Sequence, residues 1–257
     1  MIIVSSAKTQ DFSPVEISLT PTLPLFFDET HRHLLPALRQ YDLAGLRVLM
    51  GISEPLAEQT HAQFVDFSLN TSPQNGKPAI LAYSGEVFRR MHPAGFLSED
   101  LHFAQQRLRI LSGLYGLLRP LDLIQPHRLE MGSSLANLRG KTLYAFWSQL
   151  VTDQLNEALA QERYPALINL ASEEYSKVVE KNRLQAPWLD IQFKEDDRGR
   201  LKTVAIHAKR ARGLMAAFLI RNRIEQPEAI HGFDAEGYRF QPELSTDRQY
   251  VFTRRVS

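Results

Sequence analysis

The 257-residue sequence contains no cysteine. That excludes a disulfide framework, thiolate zinc sites and any thiol-based reduction of peroxide by the protein itself. Long apolar runs are also missing. The longest, Leu214 to Ile220, falls far short of the roughly 20 residues a spanning helix needs, so no membrane association is expected. The opening MIIVSSAKTQ lacks the basic-then-apolar order of a secretory signal, and a cytoplasmic location follows as the expectation. Net charge is nearly absent: 30 Lys and Arg stand against 29 Asp and Glu, a formal +1. Nothing global therefore demands a polyanionic partner. No Gly-x-Gly-x-x-Gly follows a strand, and there is no Walker loop, His-Glu-x-x-His or Gly-x-Ser-x-Gly. Repeats, low-complexity tracts and proline- or glycine-rich linkers are lacking too. The expectation is one domain over residues 1–257, monomeric, with no cofactor and no metal site.

What is present is ordinary in bulk, with 44% apolar and 23% charged residues, enough for a sizeable core. Ile2-Ile3-Val4, Ala79 to Tyr83 and Ala166 to Leu170 read as short buried strands. Helical patterns cover about 24–41 (interrupted by Pro36), 54–67 and 142–160. Leu189 to Phe193 and Thr203 to Ile206 suggest a hairpin around EDDRGR, and Tyr250 to Arg254 an edge strand. The pattern predicts a mixed α/β fold: a single domain with a buried mixed sheet, surrounding helices and a helix-hairpin-helix-like element near 98–124. Strict βαβ alternation is not evident.

That last element comes from RLRILSGLYGLLRPLDLIQPHRLEMG, residues 107–132. Leu101, Ala104, Leu108, Leu111 and Tyr115 step by three and four, one face of a helix begun at Ser98. Gly113 and Gly116 then break it. A plain reading makes the glycines a reversal and Arg119 and Arg128 solvated cations. A sharper one compares the segment with a hairpin whose glycine amides face a phosphate, although these glycines are three apart where two is usual. His31 and His33, near Asp28 and Glu29, point apart on a helix and suit a solvated face better than a metal.

Polar groups gather where strands end. Ser5, Ser6, Lys8 and Thr9 follow the first strand, where α/β proteins hold ligands. Ser172, Glu173, Glu174, Tyr175 and Lys177 follow the third. The stretch Lys209 to Arg223 holds five cations and no acid. Lys209, Arg210 and Arg212 lie before its middle, where an anion or a carboxylate such as Glu174 would offset them. If these groups converge with Arg128 and Glu130, they form a basic cleft suited to a phosphorylated or nucleic-acid ligand.

SSAKTQD (5–11), LRILSGLYGLLRPLDLIQPHRLEMG (108–132), INLASEEYSK (168–177) and AKRARGLMAAFLI (208–220) resemble the YaaA family, domain of unknown function 328, over essentially the full length. Lys8, Arg119, Arg128, Glu130, Ser172, Tyr175, Lys209 and Arg212 match its motifs. Ser6 and Gln10 depart from the family's S-P-A-K-T-L, His127 stands where tyrosine is common, and YSGEVF (83–88) replaces a G-D-V-Y-like run. The resemblance implies a cytoplasmic protein of the peroxide-stress response that limits unincorporated iron. It also implies a helix-hairpin-helix element and a positively charged cleft for double-stranded DNA.

Two functions are carried forward. In the first the protein binds duplex DNA through Lys8, Gly113, Gly116, Arg119, Arg128, Lys177, Lys209, Arg210 and Arg212, largely independent of sequence. Five neutralised phosphates would give a salt slope of about −4.5. In the second an enzyme acts on a nucleobase or nucleotide in the same cleft. Lys8 or Lys209 would be base or nucleophile, with Glu130, Glu174 or Tyr175 in proton transfer. A pocket holding Lys8, Glu174 and Lys209 within hydrogen-bond reach would favour the enzyme. Iron sequestration by His31 and His33 is a third reading.

Overall fold

The computed structural model describes residues 1–15 and 19–255. Its organising strand is β1 (Ile2–Ser5), a buried run of β-branched residues of the kind that parallel strands covered on both faces require. Around it the chain builds one mixed sheet from β2 (Leu108–Ser112), β3 (Gly116–Leu118), β4 (Leu167–Asn169), β5 (Trp188–Asp197), β6 (Arg200–Lys202), β7 (Arg239–Phe240) and β8 (Gln249–Arg255). The order is β3-β2-β1-β4-β5-β8-β7, with β6 folded back on β5. β2, β1, β4, β5 and β8 run parallel, while β3, β6 and β7 are antiparallel. The helices that matter below are α1 (Leu43–Met50), α2 (Glu54–Asp66), α3 (Glu86–Met91), α4 (Ser98–Arg107), α5 (Leu143–Leu159), α6 (Glu173–Ser176) and α7 (Ala205–Arg221). The result is a single mixed α/β domain with a continuous apolar core.

Several expectations hold. α2 begins after Ser53 with Pro55 in its first turn. The helical pattern at 142–160 is α5, and the Thr142 hydroxyl caps it by accepting from the Ala145 amide at 3.2 Å. EDDRGR makes the β5–β6 reversal, with Arg198 and Gly199 at positive φ, although β6 ends at Lys202 and α7 takes over at Ala205.

Three expectations are corrected. Ala79–Ala82 is a buried helical turn, not a strand; a short apolar run carries no period that separates the two. β8 is not the edge, because β7 pairs outside it. Most consequential, there is no helix-hairpin-helix at 98–124. α4 stops at Arg107, Leu108 to Ser112 pairs in parallel with β1, and Gly113 to Tyr115 turns into β3. The spacing of Leu108, Leu111 and Tyr115 fits a helix by coincidence. The backbone instead takes the ladder that β1 offers, and tertiary pairing outweighs local periodicity.

Both glycines of that turn serve packing. A Cβ on Gly113 would overlap the Leu129 carbonyl, and the Gly113 carbonyl accepts from Trp147 Nε1 at 2.9 Å. Gly116 sits at φ +67 under the Trp147 ring. Both are buried, so no phosphate can reach their amides.

Candidate ligand site at the strand ends

The chain runs from β1 to β2 on one side, then crosses back to β4 on the other. That reversal opens a crevice at the carboxyl ends of β1 and β4, the usual ligand position in open α/β sheets. Here two serines stitch the crevice shut at its base. Ser5 Oγ accepts from the Ser172 amide at 2.9 Å and lies 3.2 Å from Ser172 Oγ. The Ser6 amide donates to the Leu111 carbonyl, tying the same turn to β2.

Above that floor, Ser6, Lys8, Gln10, His127, Glu130 and Tyr175 enclose a chamber of about 10 Å³, room for about one water molecule. Ser6 interacts with the phenols of Tyr83 and Tyr175. Burial pushes Tyr175 up to about 12 and Tyr83 higher still, so both stay protonated. Burial likewise drives His127 down to about 4, and the imidazole is neutral. Its Nδ1 donates to the Gln125 carbonyl at 2.8 Å, which leaves Nε2 as the acceptor facing Tyr83 Oη at 3.5 Å. The chamber thus offers neutral donors and acceptors. Charge stands at its mouth: Lys8 Nζ lies 2.6 Å and Arg128 Nη2 3.3 Å from the two oxygens of Glu130. The Leu129–Glu130 backbone that holds this carboxylate rests on Gly113.

The predicted residues divide. Lys8, Arg128, Glu130 and Tyr175 meet at the mouth. Glu174 lies beside Tyr175 but accepts the Gly132 amide at 3.0 Å. Lys177 Nζ lies 5.2 Å from the ring centre of Tyr144, whose hydroxyl donates to the Glu174 carbonyl. Arg119 is elsewhere: it is bound to the buried Asp122 near Thr22, by the amino end of β2, and leaves the DNA-contact set. Gly113 and Gly116 leave it as well.

α7 begins four residues before Lys209, so Lys209, Arg210 and Arg212 are not at its N-terminus. No anion is needed there on dipole grounds. Arg210 Nε pairs with Glu86 at 3.0 Å, and Arg212 is largely buried beside Asp190, burial lowering its pKa. Lys209 is exposed and pairs with no carboxylate among the described residues. No hydrogen bond or ion pair among the described residues joins any two of Lys8, Glu174 and Lys209, so the triad that would have favoured an enzyme does not assemble. His31 is buried against Phe27 and bonded to its carbonyl, and His33 packs on Phe146. Among the described residues no group of three or more His, Asp or Glu side chains could hold a metal ion.

Sequence reasoning noted His127 only as a departure from the family's tyrosine and gave it no role. It also passed over Asn169 and Asp190, adjacent strand residues joined at 2.8 Å.

A family model described as peroxide stress protein YaaA matches residues 1–244. A UPF0246 protein of Cellvibrio japonicus is 46% identical over 252 residues, covering 98% of this chain and 97% of its own. A UPF0246 protein of Acaryochloris marina is 47% identical over 254 residues, covering 99% of each.

Proposed function

This chain belongs to the peroxide stress protein YaaA family, and from that premise we propose that it serves the oxidative-stress response by binding duplex DNA along the carboxyl rim of its sheet, a contact that helps limit free iron. The observation that carries the reading is the mouth of the crevice, where two cations, Lys8 and Arg128, share the single carboxylate of Glu130. One positive charge is left uncompensated there. Lys177 and Lys209 are counted with it in this reading, both exposed and neither paired with a carboxylate among the described residues. Glu174 accepts from a backbone amide and forms an ion pair with neither among the described residues. Such groups contact phosphate oxygens and read no sequence.

Four cations less one carboxylate correspond to about three neutralised phosphates, a salt slope of about −2.7 and a loss of about 40-fold in affinity between 50 and 200 mM salt. That is shallower than the five-phosphate groove, because Arg119 and Arg210 carry their own carboxylates. A mobility-shift series across that salt range, with wild type and a Lys8→Ala/Lys177→Ala/Lys209→Ala variant, tests it. Affinity flat with salt, or unchanged in the variant, removes the DNA reading. The influence on iron is assigned to the DNA contact.

One observation favours the enzyme as a second reading: the chamber sets the Ser6 hydroxyl and Tyr175 phenol beside Lys8 and Glu130. Product formation from a nucleotide, lost in Tyr175→Phe, would support it.

A further inference from the structure

Beside the chamber a groove of about 490 Å³ opens between the loop after β1, helix α2 and the Pro126–Arg128 segment. We infer that this groove is a mononucleotide site, taking one nucleoside 5′-phosphate with its phosphate on Lys8 and Arg128 and its base against the glutamines of α2. It deepens the DNA reading in one respect, since it shares that reading's two mouth cations.

The volume falls within the range of small-molecule and cofactor pockets, roughly 300 to 1,000 Å³. The lining is graded in the way such a ligand requires. One end holds the two cations, which share the Glu130 carboxylate between them and so keep one positive charge for a phosphate, and no other carboxylate lines the groove among the described residues. Further along, Gln59 and Gln63 project from α2 four residues apart, hence on one helix face. Neither side chain is hydrogen-bonded to protein among the described residues, in contrast to Gln10, whose Oε1 accepts the His127 amide at 3.1 Å. An amide side chain presents donor and acceptor side by side, which matches a base edge such as adenine N6 and N7. Phe12, Leu56 and Pro126 supply apolar faces on which a ring can lie. The buried Thr60 hydroxyl is bound to the Leu56 carbonyl and is structural.

A duplex cannot enter a groove of this size, so the nucleotide comes either free or swung out of a DNA strand. Calorimetric titration of the intact chain distinguishes the sources. The probes are AMP, adenosine, inorganic phosphate, a matched duplex, and the same duplex carrying one unpaired adenosine. The variants are Gln59→Ala/Gln63→Ala and Lys8→Ala. AMP is expected to bind saturably and at least about tenfold more tightly than adenosine, because only it meets the cations. The double glutamine variant is expected to weaken AMP by about tenfold, within the range for losing a bidentate base contact, and to leave the matched duplex unaffected. Preference for the unpaired adenosine over the matched duplex, erased by the same variant, would place the nucleotide within DNA and equally support the site. No saturable AMP binding together with no such preference overturns the inference, as does a double variant that changes neither. Failure of the matched duplex with AMP still bound would sink the DNA reading and leave this site standing. Gln59 and Gln63 lie on the outer face of α2, and circular dichroism checks that the variant remains folded.

Discussion

Acidification from pH 7 to 5 is expected to cost this fold about 2 kcal/mol through His127 alone. The imidazole is fully buried, between Tyr115 and Tyr83 with ring centres at 5.1 and 6.2 Å, and burial holds it near 4. In the unfolded chain it returns to about 6.5. The unfolded state therefore binds more protons between those values, and stability falls as pH falls. It is full above about 6.5, reduced by about 2 kcal/mol at pH 5, and reduced by at most about 3.4 kcal/mol below 4. For a chain of this length, 2 kcal/mol corresponds to a melting temperature lower by about 4 to 8 °C. His127→Asn isolates the effect, since its amide can still donate to the Gln125 carbonyl while nothing titrates. Carboxylates and His231 contribute equally to both proteins. The assay is urea denaturation at half-unit steps from pH 7 to 4.5, and the quantity is the difference between the two curves. Parallel curves would show that the histidine is hydrated or already protonated in the native state, and the neutral chamber would be wrong.

Three further outcomes are expected. Asp122→Ala strips the carboxylate that accepts from the Arg119 amide, the Arg119 guanidinium and Thr22; breaking such a buried pair costs about 3 to 5 kcal/mol, and a urea-derived loss under about 1 kcal/mol, the scale of an exposed pair, would contradict the geometry. Gly113→Ala forces a methyl into the Leu129 carbonyl; destabilisation of about 1 to 3 kcal/mol should accompany weaker AMP binding, because Glu130 and Arg128 ride on that backbone. Lys177→Ala/Lys209→Ala should flatten the salt slope for duplex DNA from about −2.7 to about −0.9; an unchanged slope would show that neither lysine meets a phosphate.

Much of the architecture was legible because β1, α2 and α5 carry strong local signals: a β-branched run, a serine–proline start, an apolar side at helical spacing. The position of the crevice was legible too, from hydroxyls and an amine directly after a strand. What misled was Leu108 to Tyr115, where helical spacing and a parallel strand are written in the same leucines and only the partner strand decides. Charge was the other blind spot. The cations of the basic stretches are plain in the sequence, but their partners are not: Glu86 reaches Arg210 across 124 residues and Asp122 is buried under Arg119. A linear reading counts charges, and the fold cancels them. The glutamines of α2 were invisible for a related reason, since an exposed amide acquires meaning only from what stands opposite it.

Among the described strands of the sheet, β1 waits longest for its partners. Its neighbours, β2 and β4, begin more than a hundred and more than a hundred and sixty residues later. Until then Ile2, Ile3 and Val4 are a sticky tag on a growing polypeptide, and every length short of β4 leaves β1 without one of its two neighbours. The sheet's centre gains little from folding before β4 is made, so chaperone demand should be set by how long β1 waits.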